Sequence, residues 1–157
     1  WASTLKGAIV YNRAGILYPT ALATSDDLAA WTGSGAPANA GIVLRSCTNL
    51  VLAATKLAHY DTDPETGLPT DAIILQAMQD ATCIQAAAWG KLGIDPLAGG
   101  IDMGGVKTST KLLSGSIEVA GAEQTAAAKA FATSNLVPDA VNVLAQQNLI
   151  SNRPGSR

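Results

Sequence analysis

Acid–base and nucleophilic catalysis both need titratable groups of matched pKa within hydrogen-bond reach of one another. This sequence offers few: one histidine, His59, and two cysteines, Cys47 and Cys83. His59 stands beside Tyr60 at the end of an apolar run that reads as a helix. A cation is favoured there by the helix dipole, which accounts for the residue without catalysis. Each cysteine falls inside a helical pattern and reads as a small buried hydrophobe in a reducing compartment. A disulfide between their helices is possible and not required. There is no Cys-x-x-Cys pair, which excludes a zinc site of that type. Neither a Gly-x-Ser-x-Gly elbow nor a His-Glu-x-x-His pair occurs. The expectation is therefore no catalytic residue, no metal and no cofactor, and a protein that is not an enzyme.

Three further stretches invite a chemical reading. The acidic run Asp61-Thr62-Asp63-Pro64-Glu65-Thr66-Gly67 resembles the start of a calcium loop. Such a loop needs glycine at its sixth position and glutamate at its twelfth; here these are Thr66 and Ala72, so Asx-type turns explain the run better. Gly104-Gly105-Val106-Lys107-Thr108 echoes a phosphate-binding loop, but Val106 separates the glycine from the lysine and breaks the required spacing. Trp31 and Trp89 read as core or interface anchors rather than base-stacking platforms. The net charge of −2 gives no electrostatic footprint for nucleic acid. A recognition helix should be basic, and the best-defined helix, Asp71 to Leu92, has Lys91 as its sole cation. Function is therefore expected to lie in shape and contacts.

The elements that would position such contacts are mainly helical. The chain has 157 residues, which suits one domain with a modest core. Hydrophobic residues make up 48%, but only 4% is aromatic, and alanine is abundant. Alanine packs helices closely and contributes little burial per residue. Charged residues are 14%, well below the roughly 25% of ordinary soluble domains, which points to a surface partly covered by partners. Near the N-terminus, Lys6, the run Gly7 to Tyr11 and the triplet Ala21-Leu22-Ala23 imitate a signal peptide. Asn12 and Arg13 interrupt the apolar run, so neither a secretion signal nor a membrane span is expected.

Along the chain, Trp1 to Leu22 reads as an extended arm. Ala8-Ile9-Val10-Tyr11 and Gly15-Ile16-Leu17-Tyr18 are each suited to strands, and exposed Ile9, Val10, Ile16, Leu17 and Tyr18 would need a surface to pack on. A short helix starts at Thr24-Ser25-Asp26-Asp27, with Ser25 as the cap, and runs through Trp31. The second helix spans about Asn39 to Ala58, with Val43, Cys47, Leu50, Ala54 and Leu57 on one face, widened by Leu44 and Val51. The third opens at Pro69-Thr70-Asp71, with Thr70 capping and Asp71 at the positive end of the dipole. It closes at Gly93 and Pro96. Its apolar face is Ile74, Ala77, Met78, Ala81, Ile84, Gln85, Ala88, Trp89 and Leu92. So few charges oppose that face that the helix must sit either in the centre of a bundle or between subunits. Val106 to Ala120 reads as β, with alternation in Ser116-Ile117-Glu118-Val119 and a turn at Leu113-Ser114-Gly115. An alanine-rich fourth helix, Ala122 to Ser134, is anchored by Phe131. Pro138 opens a last helix to about Leu149, striped by Val141, Leu144, Ala145 and Leu149. Ser151 to Arg157 is a polar, basic tail. The fold expected is a mainly α, small helix bundle with a β-hairpin or long loop between the third and fourth helices and an extended N-terminal arm. The divisions are 1–22 arm, 23–150 helical domain and 151–157 tail.

The wording of the third helix carries a resemblance. Thr70-Asp71-Ala72, then Ala81-Thr82-Cys83-x-Gln85, then Trp89, then Leu92-Gly93-Ile94-Asp95-Pro96-Leu97-Ala98-Gly99-Gly100 resembles the central helix of head-to-tail adaptor proteins of tailed phages, especially those infecting actinobacteria. It continues in Ser25 to Trp31, in the Leu44-to-Tyr60 helix and in Leu136-Val137-Pro138-Asp139-Ala140. It covers about Ala23 to Ile150 and rests on order and spacing rather than on one motif. The resemblance implies a helix bundle that assembles as a twelve-fold homo-oligomeric ring beneath the portal protein, in the virion neck, after synthesis in the host cytoplasm. Such a ring extends the DNA channel, lets double-stranded DNA pass without specific binding, and presents a surface to the stopper or tail-terminator protein. It implies portal contacts from the C-terminal segment, here Leu149, Ile150, Asn152, Arg153 and Arg157. It implies contacts between subunits or rings from the hairpin, here Lys107, Thr108, Lys111, Ile117 and Val119, with Ile16 and Tyr18 of the arm added because they are apolar. No membrane partner is implied. The rival readings are another neck or tail-completion ring, which the helical content argues against, a nucleic-acid-binding helical module, and a small enzyme.

Overall fold

The structure, a computed structural model, describes residues 10–11, 17–98 and 115–150, with side chains over 19–97 and 124–150. Two short strands, β1 (Val10–Tyr11) and β2 (Leu17–Tyr18), pair antiparallel, with Val10 opposite Tyr18 and Tyr11 opposite Leu17. Five helices follow: α1 (Ser25–Thr32), α2 (Ala40–Ala54), α3 (Ala72–Leu92), α4 (Gly115–Ser134) and α5 (Pro138–Gln146), with a 3-10 turn at Pro96–Ala98. The molecule is a small, mainly α bundle, as the sequence predicts. Among the described residues no helix is long and apolar enough to cross a membrane.

α3 is the hub: α1, α2, α4 and α5 all pack against it. Its low charge is thus explained by a central position in the bundle. Its buried set is wider than the predicted stripe. Ala77, Met78, Ala81, Gln85 and Trp89 are buried as expected, and Thr82, Cys83 and Ala86 are buried as well. The N-terminal half of α3 shares a core with Leu22, Val51, Leu136, Leu144 and Leu149. The C-terminal half shares a second core with Leu28, Leu44, Cys47, Ile94 and Ala132. Leu50 and Val137 lean on both cores and join them. Leu44, Val51, Met78 and Leu144 are the large apolar side chains buried completely, each contributing about 1.5–3 kcal/mol of transfer free energy.

The helix ends follow local chemistry, with two corrections. α1 is capped by Thr24 rather than Ser25. The Thr24 hydroxyl accepts from the Asp27 amide and the Asp27 carboxylate accepts from the Thr24 amide, a reciprocal capping box. α3 is capped by Asp71 rather than Thr70: Asp71 Oδ1 accepts from the amides of Ile73 and Ile74, while the Thr70 hydroxyl donates to the Asp61 carbonyl. A carboxylate satisfies two amides and the dipole at once, which a hydroxyl does not. α3 stops at Gly93, whose φ of 67° suits glycine. Pro138 takes the first position of α5, where its missing N–H costs nothing.

Three apolar expectations are corrected. α2 ends at Ala54, so Leu57 lies beyond the period that would have buried it and is 82% exposed. Ala54 is exposed as well. Phe131 does not anchor α4; it is 49% exposed, and Ala132 beside it is the buried residue. The β reading of Val106 to Ala120 fails over its described part, because Gly115 to Ala120 is the start of α4. Ile117 and Val119 are therefore helical rather than strand residues. Four alternating residues are a weak strand signal beside the alanine-rich run that follows. Once that helix is nucleated, each added residue gains a backbone hydrogen bond. Residues 99–114 and 151–157 lie outside the described residues, and with them Lys107, Thr108, Lys111, Asn152, Arg153 and Arg157.

Candidate functional site

The residues that suggested chemistry are largely accounted for by packing. Cys47 and Cys83 are free and buried in one core. Burial, followed by the neighbouring Cys83, pushes the Cys47 thiol up to about 12. Burial, followed by the carboxylates of Asp27 and Asp80, pushes Cys83 up to about 11. A thiol so raised is neither a ready nucleophile nor a ready metal ligand. The Asp61–Gly67 run is a tight loop, as its Asx-turn reading predicts. Asp63 Oδ1 accepts from the amides of Glu65 and Thr66, and Asp63 and Leu68 close the loop through an amide-to-carbonyl bond of 2.8 Å. Gly67 turns the chain at a φ of 70°. His59 is exposed. Among the described residues no group of three or more His, Cys, Asp or Glu side chains is placed to hold a metal ion.

Gln85 and Trp89, two residues that carry the resemblance, form a buried polar latch. Gln85 is fully buried on α3. Its Nε2 donates to the carbonyls of Ala132 (2.8 Å) and Asn135 (3.1 Å), and its Oε1 accepts from the Val137 amide at 2.8 Å. Trp89 Nε1 donates to the same Ala132 carbonyl at 2.8 Å. Together they satisfy the end of α4 and the link into α5, where helical bonds run out. Periodicity alone put Gln85 on the buried face without saying what its amide would bind.

One feature open to solvent among the described residues is a groove of about 580 Å³ between α1, α3 and α5. Its floor is the stripe Ile84, Ala87, Ala88 and Lys91 of α3. Trp31 of α1 forms one wall; Asp139, Asn142 and Val143 of α5 form the other, with Val137 just before them. Trp31 is 48% exposed, and the floor alanines are half-buried. The volume is within the range of ligand and peptide clefts, and the lining is mostly apolar with a few polar groups, as such clefts are. Exposed Ile42, Leu57, Ile73, Leu97 and Phe131 need no special account as isolated residues, whereas Trp31 shares a concave surface with other apolar side chains.

The predicted interface residues whose side chains are described, Leu149 and Ile150, do not line this groove. Leu149, a candidate for portal contact, is buried in the core around Val51 and Leu144, and Ile150 packs partly on it. Tyr18 stands in β2, and Ile16 lies outside the described residues. Sequence reasoning assigned Ile84 and Ala88 to the buried face, noted Lys91 only as the sole cation of its helix, and did not single out Asn142 or Val143. The available signal was a second helical stripe on α3, Ile84-Ala87-Ala88-Lys91, small or apolar yet outside the main core. No family model, curated protein or solved structure matches the chain.

Proposed function

We propose that this protein is a structural component of a phage neck, a head-to-tail adaptor that forms a ring under the portal, extends the DNA channel and offers a docking surface to the stopper or tail. One observation carries the reading. Five residues of the resemblance have definite tasks within one folded unit: Asp71 caps α3, Gln85 and Trp89 latch α4 to it, Gly93 ends it and Pro138 opens α5. A repeated near-neutral subunit also suits a channel wall, because DNA slides only where few phosphates are neutralised.

The test is electron microscopy of the chain mixed with purified portal rings, beside a portal-only control. The reading predicts an added collar of density at the narrow end of the portal, symmetric about the channel. Folded, helical protein that adds no collar at any concentration tried overturns portal docking. A mobility-shift assay with duplex DNA at physiological salt is expected to show no complex; a shifted band favours a nucleic-acid-binding module instead.

A further inference from the structure

We propose that α4 is a hinged lever: it opens from its N-terminal end as far as the Gln85–Trp89 latch while the rest of the bundle stays folded. This inference stands apart from the adaptor reading and does not need it.

α4 has 20 residues, about 30 Å at the rise of an α-helix. Its described side chains show how little of that length is held. Gln124, Thr125, Ala126, Ala127 and Ala128 are all exposed. Five successive residues exceed one helical turn, so no side of that stretch is buried. Ala130 and Phe131 are exposed as well. Among the described α4 side chains Ala132 alone is buried, with Lys129 and Thr133 half-buried on the same face. α5 is the contrast. It has 9 residues, yet it buries Ala140 and Leu144 and half-buries Val141, Val143 and Ala145.

The last turn of α4 is held firmly. Gln85 bonds the carbonyls of Ala132 and Asn135 and the amide of Val137, and Trp89 bonds the Ala132 carbonyl again. Leu136 is buried within the same span. Opening that passed Ala132 would break these bonds. Opening that stops before Lys129 breaks only bonds of the helix itself, so the pivot falls between the two. A helix in a protein draws most of its stability from the packing of an apolar face, and a short one without such a face is marginal in water. Gln124 to Ala128 present no buried face, and Gly121 lowers the helix propensity just before them. Opening the lever is therefore far easier than unfolding the bundle. Elements that move on binding come from such low-stability parts of a fold. α4 is thus the helix able to change its contacts when a partner docks, with α3 and α5 undisturbed.

The test is residue-resolved hydrogen exchange on the full chain. Amides 124–130 should be slowed about tenfold or less, and those of Met78 to Trp89 in α3 about 10³-fold or more. Equal protection in the two helices overturns the proposal. A matched pair of variants separates local from global effects. Ala128→Gly and Ala132→Gly make the same change one turn apart on α4, and circular dichroism establishes that both fold. Ala128→Gly should speed exchange of amides 124–130 about two- to fivefold and leave the urea midpoint within about 0.1 M of wild type. Ala132→Gly should lower that midpoint by about 0.3–1 M, because it strikes the anchored turn. Two variants with the same midpoint, whichever value it takes, overturn the proposal.

Discussion

Replacing Gln85 by leucine tests whether the latch holds the second half of the bundle. Leucine keeps much of the volume and removes both the donor and the acceptor. The Ala132 carbonyl keeps its bond from Trp89 Nε1, so it is not orphaned. The Val137 amide and the Asn135 carbonyl lose their Gln85 partners, and both bonds are only part-buried. A buried group left unsatisfied costs about 1–3 kcal/mol, and partial access to water places each of these near the lower end. The loss is therefore about 2–3 kcal/mol. Total stability for such a domain is about 5–15 kcal/mol, so the variant should fold and be visibly weakened. In urea melts followed by circular dichroism, with m near 1–3 kcal/mol/M, the midpoint should fall by about 1–2 M while m is unchanged. Gln76→Ala is the control, since Gln76 is exposed and bonds only Asp80 across one turn; it should change stability by less than about 0.5 kcal/mol. A Gln85→Leu variant within about 0.5 kcal/mol of wild type would refute the latch argument, because the measured bonds would then contribute nothing net.

Gly93→Ala should cost about 1 kcal/mol in the same melts. An added Cβ meets nothing within 4 Å there, so the cost is that of φ at +67° and not of a clash. Thr48→Val leaves the Leu22 amide without its acceptor and should cost about 1–3 kcal/mol, with faster proteolysis before Leu22 as the second readout. Cys47 and Cys83 should resist a thiol reagent at pH 8 in the native state and react fully in denaturant. Their folded pKa values lie above the ordinary 9.0, so the unfolded chain loses its thiol protons first. Stability is then intact below pH 9 and falls as pH rises through about 11, as a denaturant series across that window will show; a flat profile would contradict their burial.

The helical order of the chain was legible because its signals are local. Asp27, Asp71, Gly93 and Pro138 act within one turn of their own positions, and the period of α3 announces a helix without reference to its neighbours. Errors arose where tertiary context or continuation decides. Leu57 continued the period of α2 on paper, but the helix had already ended at Ala54. Ile117 and Val119 alternated like a strand, but a longer alanine-rich helix ran through them.

Trp31 and Trp89 show most clearly why the candidate site was less legible than the fold. The sequence treats them alike, as anchors on apolar helices. Trp89 falls on the side of α3 that faces α4, where its indole N–H finds the Ala132 carbonyl and its ring is buried. Trp31 lies near the end of the two-turn helix α1, which packs on α3, and among the described residues it is left 48% exposed at the groove it lines. The difference is set by where α1 crosses α3, which no spacing within either helix encodes. An exposed tryptophan beside half-buried alanines is costly to leave wet, because each aromatic side chain buries 150–250 Å² when covered. That cost sets the groove, rather than the buried cysteines or the acidic loop, apart as the candidate contact surface.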